Sequence, residues 1–238
     1  MIRTLLAAVI GLVALAAPAS AAERRYSVTD FDRVTVEGPY VVRLVTGRPT
    51  SAMARGPQAS IEQVAIDTTG QTLRIRPNRS GWTGTPGAQQ GVVEITLSTR
   101  TLRSARVIGA GRLDIEGAQG LRIDLGLEGS GRLAVTNVRA DNLYLALRGA
   151  GRLEISGRAE SAYADILGSG DLDGTALASE NATLTTGTSG TVSLGVSRSA
   201  QVTANGVGEV TILGRPACTV RGPSAGQVRC GSDQRQPR

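Results

Sequence analysis

The chain has 238 residues and carries 26 basic and 20 acidic side chains, a net charge of +6. A surplus of this size bears on solubility and on loose attraction to anionic surfaces, and says nothing about fold. There is no histidine, every basic residue is arginine, and aromatic residues make up only 3%, which speaks against nucleic-acid binding and leaves few side chains for stacking sugars or moving protons.

The chain opens with Met1-Ile2-Arg3, runs through an apolar stretch from Leu5 to Ala17, and reaches Ala19-Ser20-Ala21, a small-x-small pattern. The stretch is too short to span a bilayer comfortably, so residues 1–21 read as a signal peptide cleaved after Ala21. No cysteine stands directly after it, at the cleavage site, and no second stretch matches its apolarity. The expectation is an exported, soluble mature chain with no lipid anchor and no transmembrane segment. Residues 22–238 suit a single elongated domain.

Residues 22–100 read as an irregular β region. Arg33 to Glu37 alternates apolar and polar, Gly38-Pro39 turns, and Tyr40 to Thr46 alternates again, which predicts a hairpin. Ala59 to Ala65 has a weak helical pattern. Val64–Asp67 and Leu73–Arg76 read as strands around Thr69-Gly70, and Val92 to Leu97 as a further strand. The polar insert between Pro77 and Gln90, which holds Trp82, reads as a surface loop.

From 101 to 214 the chain is periodic. A glycine corner returns as Gly109-Ala110-Gly111, Gly129-Ser130-Gly131, Gly149-Ala150-Gly151, Gly168-Ser169-Gly170, Thr188-Ser189-Gly190 and Gly206-Val207-Gly208, with last glycines 18 to 20 residues apart. Aligned on the corner, four apolar columns emerge. Two precede it: Ala105, Leu125, Leu145, Ala164, Leu184, Val202, and Val107, Leu127, Leu147, Ile166, Thr186, Ala204. Two follow it: Leu113, Leu133, Leu153, Leu172, Val192, Val210, and Ile115, Val135, Ile155, Gly174, Leu194, Ile212. The residues between them are mostly polar, giving the period of two of half-buried strands. A single short hairpin is marginal in water, whereas identical copies stacked about 4.8 Å apart bury each column on itself. The reading is an all-β chain forming a β-helix, or β-solenoid, of about 20 residues per repeat.

The tail, 215–238, contains both cysteines of the chain, Cys218 and Cys230. In an oxidising compartment they are expected to pair as a staple on the last rung, where a solenoid otherwise exposes an unpaired edge.

The opening Phe31-Asp32-Arg33-Val34-Thr35-Val36-Glu37-Gly38, the Val-rich strand after it, and the recurring Leu-x-Gly-Ser/Ala-Gly-x-Leu units resemble the putative auto-transporter adhesin head GIN-domain family, a domain of unknown function. The resemblance covers roughly Phe31 to Gly214. It implies a signal peptide followed by a right-handed β-helix, a handedness that also fits the general rule for strand crossovers. It supplies no catalytic residues.

The residues bear on three functional classes. Carbohydrate-active β-helices use clustered carboxylates, and Asp171 and Asp173, flanked by Asp165, offer a pair; against an enzyme stand the missing histidine and the lack of any cleft signal. A calcium roll needs an acid from each successive turn, but the counterparts of Asp171 are Arg112, Arg132, Arg152, Thr191 and Glu209, so no metal and no other cofactor is expected. A binding surface is suggested by Arg112, Arg132 and Arg152, which fall at one repeat position, and by Tyr144 and Tyr163, which share an outward position. Together they suit an acidic glycan or lipopolysaccharide phosphates; the plainer reading is arginines shielded by Asp114, Glu128 and Glu154.

The sequence reading is therefore an exported, non-enzymatic protein in the periplasm or on the surface of a Gram-negative cell. It serves as a structural or adhesin-like binding module for an envelope glycan, lipopolysaccharide or another envelope protein. A polysaccharide-active enzyme is the alternative.

Overall fold

The computed structural model describes residues 22–78 and 91–232. The signal-peptide reading, most of the polar insert with Trp82, and residues 233–238 lie outside the described residues. In chain order the elements are β1 (Ala22–Tyr26), β2 (Arg33–Glu37), β3 (Val41–Thr46), β4 (Ser51–Gly56), helix α1 (Gln58–Glu62), β5 (Val64–Thr69), β6 (Thr72–Pro77), β7 (Glu94–Thr99) and β8 (Ser104–Gly109). There follow β9 (Arg112–Gly129), β10 (Arg132–Gly149), β11 (Arg152–Gly168), β12 (Asp171–Thr188), β13 (Val192–Ala204), β14 (Val210–Leu213), β15 (Ala217–Arg221) and β16 (Val228–Ser232).

These strands wind a β-solenoid of about six turns with roughly 20 residues per turn. Each of β9 to β12 is bent, so that its first limb follows one glycine corner and its second limb leads to the next. β9, β10, β11, β12 and β13 pair in parallel, one on top of another. The register stacks the columns legible in the sequence: Leu113 against Leu133 against Leu153, and Leu125 against Leu145 against Ala164. Leu113, Leu127, Leu133, Leu147 and Leu153 are all fully buried, each worth about 1.5–3 kcal/mol of transfer free energy. The interior also holds a column absent from the four above, Ile123, Leu143, Ala162, Ala182 and Ala200, all buried. Gly174 leaves a gap in its column that Leu194 and Ile155 fill from either side.

The N-terminal region corrects one expectation. β2 and β3 do not form a hairpin: β2 pairs in parallel with β6 and β8, and β3 in parallel with β7 and β9. Gly38, with φ +110°, is a corner like Gly109 with φ +97°, and its N–H donates to the Ile108 carbonyl one rung away. Arg33–Thr46 is thus a copy of the repeat, set apart from the others by a long excursion of the chain. That excursion lays β6 and β7 on the far side of β2 and β3, then closes the end with antiparallel strands. β5 returns on β6 as the expected hairpin, β4 lies against β7, and β1 against β4. The helical segment is shorter than the pattern suggests, because Val64 and Ala65 already belong to β5. Antiparallel cover with Glu23, Arg24 and Arg25 on the outermost strand is a known way to blunt a sheet edge.

At the other end β15 pairs with β13 and β16 with β14. Cys218 and Cys230 are joined by a disulfide, as expected, and tie these two terminal strands to each other.

Candidate functional site

The arginine column forms in register: Arg112 pairs with Arg132, Arg132 with Arg152, and Arg152 with Asp171. Each guanidinium has a carboxylate. Arg112 Nε donates to Asp114 Oδ2 at 2.8 Å, Arg132 Nη2 donates to Glu154 one rung on, and Arg152 Nη2 donates to Asp171 Oδ2 at 3.0 Å. The bond to Asp114 raises the Arg112 guanidinium further above its ordinary value. Asp171 is held on its other oxygen by the backbone N–H and hydroxyl of Thr191, at 2.8 and 2.9 Å. The Thr191 N–H, more than any other group, lowers the Asp171 carboxyl below the usual carboxylate value. Asp173 accepts from the N–H and hydroxyl of Thr175. Asp171 and Asp173 lie on the limb that follows the corner Gly168-Ser169-Gly170, while Asp165 lies on the limb that leads into that corner.

Tyr144 and Tyr163 stack on that preceding limb, with ring centroids 4.7 Å apart and planes 12° from parallel. Arg122 covers the opposite side of Tyr144, its Cζ 3.9 Å from the ring centroid, a favourable cation–π geometry. Asp124 fixes that guanidinium with bonds of 2.9 to 3.2 Å. Beside the rings two adjacent outward positions are small: the column reads Arg106, Gly126, Ala146, Asp165, Thr185, with Gly126 and Ala146 on successive rungs. The result is a shallow cavity of about 370 Å³, floored by Gly126 and Ala146 and bordered by Tyr144, Tyr163, Asp165 and Thr183. Its charges come in pairs, Arg122 with Asp124, Arg106 with Glu128 at 3.8 Å, and Arg148 with Asp165 at 3.6 Å. None of the three ladder arginines borders this cavity.

This geometry can be set beside known proteins. The putative auto-transporter adhesin head GIN domain matches residues 30–216. The chain belongs to this family. Among solved structures, a putative adhesin from Bacteroides fragilis shares the fold with a TM-score of 0.76 at 18% identity, covering 85% of this chain and 94% of its own. A putative lipid binding protein from Parabacteroides distasonis aligns with a TM-score of 0.65 at 18% identity, over 91% of this chain and 96% of its own. A putative adhesin from Parabacteroides merdae reaches 0.65 at 15% identity, over 90% and 96%. No curated protein matches.

In this GIN domain the structure thus brings Tyr144 and Tyr163 together and stacks Arg112, Arg132 and Arg152, but places the two groups on different limbs of the turn. Sequence reasoning missed Arg122, which covers the tyrosine stack, and the Gly126 and Ala146 floor. Both were readable as outward positions beside Asp124 and Tyr144 once the columns were aligned. Among the described residues no cluster of three or more metal-ligating side chains occurs, and no helix is long and apolar enough to cross a membrane.

Proposed function

We propose that this chain is an exported, non-enzymatic module of a Gram-negative cell envelope that binds a partner through the outer face of the limbs preceding the glycine corners. The observation that carries the reading is the cavity beside the Tyr144–Tyr163 stack. The ladder column bears long, ion-paired arginines, whereas here Gly126 and Ala146 leave the sheet surface open next to two aromatic rings. Apolar rings next to convergent polar groups are the usual make-up of a binding site. Export is supported by the positive, apolar and small-residue segments of residues 1–21 and by the Cys218–Cys230 disulfide, which belongs to oxidising compartments. The adhesin names of the family and of two of the solved relatives agree with binding rather than catalysis.

The test uses the mature chain against isolated outer-membrane and cell-wall fractions. Saturable binding is expected, and the double change Gly126→Gln with Ala146→Gln should abolish it by filling the cavity. Both positions tolerate outward side chains: a Cβ on Gly126 meets only Arg106, at 3.6 Å. Unchanged binding by the filled variant, or release of reducing ends from the fractions, overturns the reading.

A further inference from the structure

The tyrosine stack is interrupted rather than finished. Its column runs Asp124, Tyr144, Tyr163, Thr183, Gln201 in register. Tyr144 is enclosed between Arg122 and Tyr163. Tyr163 has only one face covered; beyond the other stands Thr183, too short to cover a ring, and Tyr163 is 37% exposed. The rings are 4.7 Å apart, which matches the spacing of about 4.8 Å between rungs. The backbone therefore already provides the spacing for one more flat ring at the level of Thr183.

We propose that this open face of Tyr163 is a stacking site for the pyranose ring of an uncharged saccharide, with Asp165, Thr183 and Thr185 binding its hydroxyls. The proposal rests on the reading of this groove as the binding face and names what it takes. The C–H face of a pyranose suits the negative face of a tyrosine ring. Sugar hydroxyls need both acceptors and donors close to that ring. Thr183 and Thr185 supply both, and the Asp165 carboxylate accepts. Asp165 is only loosely engaged, since Arg148 stands at 3.6 Å, beyond hydrogen-bond length. The charge balance sets the ligand's charge. Each of the cationic groups around the cavity, Arg106, Arg122 and Arg148, already faces a carboxylate. A polyanion would have to displace those partners, whereas a neutral sugar would not. An acyl chain would desolvate Asp165 and the two threonines without offering them a hydrogen bond in exchange.

The experiment is saturation-transfer NMR and titration calorimetry on the mature, disulfide-intact protein. The probes are the methyl glycosides of glucose, galactose, mannose and N-acetylglucosamine, with methyl glucuronoside as the charged comparison and phosphatidylcholine vesicles as the lipid arm. At least one neutral glycoside should bind. Tyr163→Ala should weaken it by about tenfold or more, and Tyr163→Phe, which keeps the ring, should not. Thr183→Tyr provides a second line of evidence, because it completes the stack with the protein's own ring. It should block the sugar while the melting temperature stays at or above that of the parent. Binding to none of the neutral glycosides, retention of binding in Thr183→Tyr, preference for glucuronoside, or association with vesicles alone would each overturn the proposal. If envelope fractions still bind and the Gly126/Ala146 filling still abolishes that binding, the groove keeps its role and only the saccharide assignment falls. If the parent chain binds no envelope fraction, the broader reading falls first.

Discussion

Gly129 stands directly on Gly109: a Cβ built on Gly129 would lie 2.6 Å from the Gly109 carbonyl oxygen, and Gly129 itself has φ +115°. Two separate penalties therefore meet at one atom, a backbone conformation that L side chains rarely adopt and a steric clash with the rung next to it. A graded series separates them. Gly226→Ala has open space and no positive φ, so its stability should stay within about 0.5 kcal/mol of the parent. Gly47→Ala, with φ +77° and nothing near its Cβ, should cost about 1 kcal/mol from conformation alone. Gly129→Ala should cost clearly more than Gly47→Ala in urea unfolding. Equal costs at 47 and 129 would show that the rungs do not stack this tightly.

The same close stacking explains which parts of the fold the sequence discloses. A column repeated at fixed spacing is legible because every rung must bury the same face, so Leu113, Leu133 and Leu153 align without a structure. The copy at Arg33–Thr46 escapes that reading because its neighbour in space, β8, follows only after the excursion through β4 to β7. Gly38-Pro39 then looks like a reversal instead of a corner. The column of Ile123, Leu143 and three alanines is hard to see in the sequence because alanine carries little apolar signal. Side-chain partners are a different matter. Arg132 reaches Glu154 diagonally across rungs while Arg112 stays with Asp114 on its own strand. That choice depends on rotamers, which the spacing does not encode. The slot at Thr183 is likewise visible only once the rings of Tyr144 and Tyr163 have been placed.

Core stacking makes a second measurable claim. Leu133 and Leu153 are fully buried and adjacent in register, so Leu133→Ala or Leu153→Ala should each cost about 2–5 kcal/mol through lost transfer free energy and the cavity left behind. Ala134 lies between them in sequence but faces outward, and Ala134→Ser should change stability by less than about 0.5 kcal/mol. Comparable losses at all three positions in denaturant titrations would contradict the register.

The disulfide acts only at one end. Cys218 sits opposite Ala200 on β13, and Cys230 opposite Ile212 on β14, so the bond fastens both limbs of the terminal turn. Replacing both cysteines by alanine should lower stability by about 2–4 kcal/mol. Amide exchange should accelerate in β15 and β16 while protection in β10 and β11 is unchanged. Native, unreduced protein should not react with thiol reagents. Rapid labelling, or equal loss of protection along the whole coil, would refute the end-cap role.

Asp171 gives a pH signature. Its folded pKa lies below the ordinary value, chiefly through the Thr191 N–H; burial opposes this as the next-largest effect, and the Thr191 hydroxyl and then Arg152 add to the lowering. For a depressed carboxyl the stabilisation is fully present above the unfolded pKa of about 3.9 and is lost as pH falls through the folded value. The loss therefore falls in the acid range below about pH 4 and leaves neutral pH untouched. Thr191→Val removes the hydroxyl but keeps the N–H, so a carboxyl-detected NMR titration should show Asp171 moving only part of the way back to its ordinary value. A full return would assign the effect to the hydroxyl instead.

The arginine column decides between structure and ligand binding. Three guanidinium groups about 4.8 Å apart repel one another, yet each has its own carboxylate in Asp114, Glu154 or Asp171, which leaves little positive potential for an outside anion. Exposed pairs of this kind contribute about 0–1 kcal/mol each. Changing Arg112, Arg132 and Arg152 together to Gln should thus lower stability only modestly. Its retention on heparin across a salt series should fall no more than that of a control triple at Arg74, Arg76 and Arg198, which are also paired, with Glu37, Asp67 and Glu180. Arg139 and Arg158 provide the contrast: they face each other across adjacent rungs and, among the described residues, have no ion-pair partner. Arg139→Gln with Arg158→Gln should cost at least as much heparin retention as the ladder triple, despite removing one charge fewer. A markedly larger loss for the ladder triple than for either comparison would make that column an anion site, and its carboxylates would then be groups that a ligand displaces.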